Sequence, residues 1–204
     1  MDYHGELTVE QEFKLVYLRQ IIKLIMKTYV KIILGIVAIL AIIVGYFYYI
    51  LFINPVSPRD TVTHAKDDLT IEVVYSRPYK KERLIFGSSE DGALVPFDTY
   101  WRLGANNATT FETSKEISFA GRKLAAGKYR MYAIPFADHW TIVLNEEFSA
   151  FGDIKPDYDK DIMRVNLASA QLLTPIEQFT IDILEDRENL TLRMRWDTTA
   201  VSIP

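Results

Sequence analysis

Hydrophobic and polar positions follow two different rules along the chain. From Ile32 to Ile53, 22 residues run without a charge. At 1.5 Å per residue such a helix covers roughly 30 Å, the hydrocarbon thickness of a bilayer. Tyr46, Phe47, Tyr48, Tyr49 and Phe52 crowd its C-terminal end as an interfacial belt would, and Asn54-Pro55 ends it. Upstream, Leu7, Phe13, Leu15, Val16, Leu18, Ile21, Ile22, Leu24 and Ile25 alternate with charged residues at helical spacing. Residues 7–28 therefore predict a helix that either lies on the membrane surface or runs straight into the span. The expected division is an amphipathic segment over 1–31, a transmembrane helix over 32–53, a linker over 54–66 and a folded domain over 67–204.

In the domain the period changes from 3.6 to 2. Leu69, Ile71, Val73 and Tyr75 alternate with Thr70, Glu72 and Ser76, as in a strand with one buried face. Further strands are expected at Thr109–Thr113, Glu116–Phe119, Gly127–Ile134, Trp140–Leu144, Met163–Leu167, Gln178–Leu184 and Leu190–Trp196. Turn residues at 120–122, 135–139 and 185–189 separate them. Short strands with frequent turns and no long helical pattern predict a mainly β domain, an antiparallel β-sandwich of jelly-roll or immunoglobulin-like type.

The flanks of the apolar run set an orientation. Arg19, Lys23, Lys27 and Lys31 precede it closely, whereas Arg59 and Lys66 are the nearest bases after it. The positive-inside rule then leaves the N-terminus in the cytoplasm and the domain in the periplasm, anchored in the inner membrane. A cleaved signal peptide fits less well, because the polar region before the core is long, the core is long, and no small-x-small site follows. The lipid bilayer is thus the expected partner of residues 32–53, with a membrane-protein or envelope partner as a further possibility.

Composition narrows the chemistry. The chain of 204 residues has no cysteine, which removes disulfides, thiolate nucleophiles and cysteine-ligated metals. A net charge of −4 without a basic face argues against nucleic acid. The residues imply no cofactor.

An ordered series of short motifs runs through the domain: Ser76-Arg77-Pro78, Ile85-Phe86-Gly87, Leu94-Val95-Pro96, Trp101-Arg102-Leu103-Gly104-Ala105-Asn106, Ala108-Thr109-Thr110, Gly121-Arg122-Lys123-Leu124, Ala126-Gly127-Lys128-Tyr129, Ile134-Pro135 and Trp140-Thr141-Ile142-Val143. This succession resembles the bacterial family catalogued as domain of unknown function 2911, over about residues 57–203. The resemblance implies a β-rich secreted or envelope domain and no established activity, ligand or catalytic residue.

Candidate binding residues come from the same stretch. Arg102 and Asn106 beside the Trp101 indole form the type of set that clamps a carboxylate, phosphate or sugar, with Arg77, Glu112 and Trp140 as further members. The structural alternative pairs Arg102 with Glu112 and leaves Asn106 bonding its own backbone. Asp157, Asp159 and Asp161 alternate as in the start of a calcium loop, but Ile162 and Ala168 occupy the positions where such a loop needs glycine and glutamate. His4, His64 and His139 show no metal-ligand spacing, and no catalytic constellation is recognisable. The expected function is a non-enzymatic, membrane-anchored binding or scaffolding module. A periplasmic hydrolase or carbohydrate-active enzyme, and an accessory subunit of an inner-membrane complex, are the alternatives.

Overall fold

One uninterrupted helix, α1 (Val9–Tyr48), joins the upstream amphipathic segment to the apolar run. Its 40 residues correspond to about 60 Å of axis. The computed structural model describes residues 9–50, 56–148, 151–187 and 189–204. Residues 1–8, with His4 and Leu7 of the expected amphipathic segment, the last residues of the expected span and the start of the expected linker lie outside them. Within α1, Phe13–Tyr48 is long and apolar enough to cross a membrane. Its large apolar side chains, from Phe13 to Tyr48, are between 38% and 74% exposed. The helix and the β-rich unit, Val56–Pro204, are separate compact units.

The β unit is mainly one curled antiparallel sheet of seven strands. In spatial order these are β1 (Arg59–Lys66), β2 (Leu69–Ser76), β5 (Thr109–Thr113), β8 (Gly127–Pro135), β9 (His139–Asn145), β10 (Asp161–Asp186) and β11 (Asn189–Ile203). Two small pairs complete it: β3 (Phe86–Gly87) parallel to β4 (Val95–Pro96), and the hairpin β6 (Ile117–Phe119) with β7 (Arg122–Leu124). Ala120 and Gly121 turn that hairpin with φ of 51° and 76°, the left-handed pair that a two-residue loop requires.

Residues 59–66, expected within the linker, form β1, which pairs with β2 along its whole length. Three of its positions are charged, and its alternate residues are only half-buried, so its hydrophobic pattern is weak. The strands expected at 163–167 and 178–184 are two parts of the single long β10. Asp161–Ala168 pairs with β9, and Ser169–Asp186 pairs with β11. Within its pairing with β11 the register shifts from Gln171 to Ile176 and again from Ile176 to Thr180. Pro175 has no N–H to give to the ladder, which accounts for a bulge here that bends the strand.

Past the bend, β10 meets the far edge of the sheet. Phe179 N–H donates to Pro78 O at 2.9 Å, and Tyr79 bridges Gln178. Arg77 donates to Phe179 O at 3.2 Å, to Thr180 Oγ1 at 3.1 Å and to Asp60 at 3.1 Å. The curl encloses an aromatic core. Trp101 stacks on Trp196 at 5.8 Å and meets Trp140 edge-on at 5.3 Å, with Phe86 and Phe179 against them. Trp140 and Phe179 have no exposed surface. Burying rings of this size contributes several kcal/mol each, roughly 25 cal/mol per Å2 of apolar surface.

Candidate functional site

A cleft of about 330 Å3 opens beside Trp101. The loop leading to β5 builds one wall. Trp101 is fixed by two backbone hydrogen bonds with Ala133, at 2.8 and 2.9 Å, and its indole N–H donates to Gly104 O at 3.3 Å. The loop then takes a path few residues tolerate: Leu103, Gly104 and Asn106 have φ of 52°, 141° and 58°. A Cβ on Gly104 would stand 2.5 Å from Ser76 O, so glycine is required for the loop to lie against β2. Arg102 donates to Asn106 O at 3.3 Å, and the Asn106 amide reaches Ser57 O at 3.5 Å.

The floor of the cleft is apolar, made by Leu94, Val95, Trp101 and Trp196. Its polar rim carries three cations, Lys81, Arg83 and Arg102, and no carboxylate among the described lining residues. Arg83 is held by the carbonyl oxygens of Tyr79 and Lys80. The Lys81 backbone N–H donates to Glu177 at 3.0 Å, which leaves the Lys81 ammonium out of that bond. Such a rim favours an anion, and such a floor favours a ligand with a flat or apolar body.

A second polar assembly lies on the outer face of β8, opposite the core. Tyr129, Met131 and Ala133 point inward; Arg130 and Tyr132 point outward, yet neither has exposed surface. The Tyr132 hydroxyl lies 2.9 and 3.0 Å from the two Asp161 oxygens. Asn145 donates to Asp161 at 2.8 Å, and Arg164 donates to it twice, at 2.7 and 3.0 Å. Burial, and then the Asp161 carboxylate, push the Tyr132 hydroxyl well above the usual phenol range. Burial also raises Tyr100, against the opposing pull of its bond from Arg130. The sequence reading missed this layer. Its only trace is the Lys128-x-Arg130-x-Tyr132 alternation inside an otherwise hydrophobic strand.

The family model described as Protein of unknown function (DUF2911) matches residues 57–204, the whole β unit apart from Val56. The chain belongs to this family. No curated protein and no solved structure matches the chain.

Within the DUF2911 domain, three of the six expected binding residues, Trp101, Arg102 and Asn106, line the cleft. The other three lie elsewhere. Arg77 is engaged where β10 meets β2. Glu112 accepts from Lys128 at 2.8 Å, so the Arg102–Glu112 pair of the structural alternative does not form. Glu112 and Lys128 sit on neighbouring strands in direct register, a proximity that sequence spacing conceals. Trp140 belongs to the core. The three alternating aspartates also separate: Asp157 caps a 3-10 turn by accepting from Asp159 N–H at 3.1 Å, while Asp161 joins the Tyr132 assembly. No cluster of three metal-ligating side chains occurs among the described residues. His139 bonds Asp138 at 2.7 Å on the hairpin tip.

Proposed function

We propose that the chain is a single-pass, membrane-anchored binding module whose DUF2911 domain takes an anionic ligand in the cleft beside Trp101. The carrying observation is the composition of that cleft: Lys81, Arg83 and Arg102 around an indole floor, with no carboxylate among the described lining residues. The α1 helix is the anchor, and the basic residues at 19, 23, 27 and 31 support a cytoplasmic N-terminus with the domain in the periplasm. A hydrolase would need Arg77, Trp101, Arg102 and a carboxylate of raised pKa gathered in one pocket. Arg77 is engaged elsewhere, and Asp138, Glu147 and Glu185 are shifted downward by their hydrogen-bond partners, so binding is the better-supported reading.

Calorimetric titration of the full-length protein in detergent with phenyl phosphate tests the proposal, with phenol as the neutral counterpart. Phenyl phosphate should bind at least tenfold more tightly than phenol. The Lys81→Gln/Arg102→Gln variant should lose that preference while melting at the parental temperature. Equal binding of the two probes, or an unchanged preference in the variant, would refute it.

A further inference from the structure

Arg130 carries a buried charge that has no direct ion pair among the described residues, and the Glu147 carboxylate, held low in part by Arg130, answers it only through space. Its side chain has no exposed surface. Both of its hydrogen bonds leave from Nη2, to the Tyr100 hydroxyl and to Ile154 O, and neither acceptor is charged. Nε and Nη1 have no partner. The Tyr100 ring, 5.5 Å away, adds a weak cation–π contact. A guanidinium does not deprotonate in a protein, so it cannot escape burial by losing its charge. A buried ion left unpaired is among the costliest arrangements in a fold. The neighbouring buried carboxylate, Asp161, is already shared among Tyr132, Asn145 and Arg164.

The surroundings of Arg130 show where compensation can come from. Arg130 faces Thr110 in cross-strand register and lies two residues beyond Lys128 on the same face of β8. Thr110 and Lys128 line a cleft of about 240 Å3, together with Arg59, Asn107, Phe148 and Phe151. The described lining again holds cations and no carboxylate; Glu112, across from Lys128, is bonded to it. We propose that this cleft is a second anion site, distinct from the one beside Trp101. It takes a phosphate or carboxylate group whose charge offsets the buried Arg130. Arg59 and Lys128 supply direct contacts, Thr110 and Asn107 supply hydrogen bonds, and the two phenylalanines form an apolar wall. The same group could be free in solution or carried on a lipid head.

Thermal melting of the full-length protein decides the matter. In detergent, inorganic phosphate is compared with sodium chloride at equal ionic strength. Without added phosphate, nanodiscs of phosphatidylcholine alone are compared with nanodiscs containing phosphatidylglycerol. Phosphate should raise the parental melting temperature by several degrees, as a ligand binding only the folded state must. A rise in the anionic nanodiscs instead would identify a lipid head as the source. Arg130→Met should melt no lower than the parent without phosphate and show no rise with either anion. If that variant does not fold, Arg59→Gln, at an exposed position, serves in its place and should weaken the apparent phosphate affinity about tenfold. Absence of any parental rise under both conditions overturns the proposal. So does a full rise retained in both Arg130→Met and Arg59→Gln. A rise abolished by Lys81→Gln/Arg102→Gln and kept in Arg59→Gln also overturns it, while upholding the cleft beside Trp101.

Discussion

The α1 helix and the DUF2911 domain treat the same kinds of side chain in opposite ways. In α1, isoleucines, leucines and aromatics all keep 38% or more of their surface exposed within the chain. In the domain, Trp140, Ile142 and Leu144 on one strand are each at 0%. The helix satisfies its backbone internally and carries no charged side chain from Ile32 to Tyr48, which suits a hydrocarbon solvent. The domain hides its apolar residues behind polar ones, which suits water. A chain with both behaviours is compatible with a membrane anchor carrying a water-facing domain, and its two compact units divide between residues 55 and 56.

Substitutions at matched hydrophobic positions sharpen this contrast. The largest effect is expected at Trp140, which packs against Trp101 and Phe86. Trp140→Ala should destabilise the domain by about 3–5 kcal/mol, read as a fall in midpoint by chemical denaturation. Next is Asp161, whose side chain is 5% exposed and holds three partners. Asp161→Ala should cost about 2–3 kcal/mol, because the buried Tyr132 hydroxyl would lose its acceptor and Asn145 would keep only the Asp157 carbonyl.

The buried tyrosines predict a smaller, pH-dependent loss. Tyr75, Tyr100 and Tyr132 all have raised pKa values, so their contribution is fully present below about pH 10, the unfolded phenol range, and is lost as pH climbs toward the folded values. Denaturation midpoints measured at increasing pH should fall, and Tyr132→Phe should flatten that slope. Glu112→Gln, which breaks a half-exposed pair with Lys128, should change stability by less than about 1 kcal/mol. Ile36→Ala on the helix should leave the melting of the domain unmoved, since Ile36 is 53% exposed.

The hydrophobic pattern made much of this fold legible. The charge-free run as far as Tyr48, the alternation of β2 with Val74 as its exception, and the turn at Ala120-Gly121 each follow a local rule, and the structure has a helix, a strand and a hairpin turn there. What local rules cannot show is which distant strands become neighbours. β1 reads as linker because it carries three charged residues and is stabilised by pairing rather than by its own apolar face. β10 reads as two strands because its bend interrupts the pattern at Pro175. At the candidate site, Trp101, Arg102 and Asn106 are adjacent in sequence and come together in the loop. Lys81 and Arg83 are contributed from some twenty residues away and were not recognisable as members. Trp140 matched the binding pattern by residue type, but its place on the inward face of β9 assigns it to the core.

The two-solvent account is tested most directly by fractionation and labelling of the full-length protein in cells. The chain has no cysteine, so single introduced thiols report cleanly. Lys14→Cys marks the helix, and Leu173→Cys marks a fully exposed position in the bend of β10. The account predicts that the intact chain stays with the membrane after alkaline extraction. It also predicts that an impermeant maleimide labels the thiol at 173 once the outer membrane is permeabilised, and the thiol at 14 only after the inner membrane is lysed. Release of the protein into the soluble fraction with its N-terminal helix removed, or labelling in the reverse order, would contradict it.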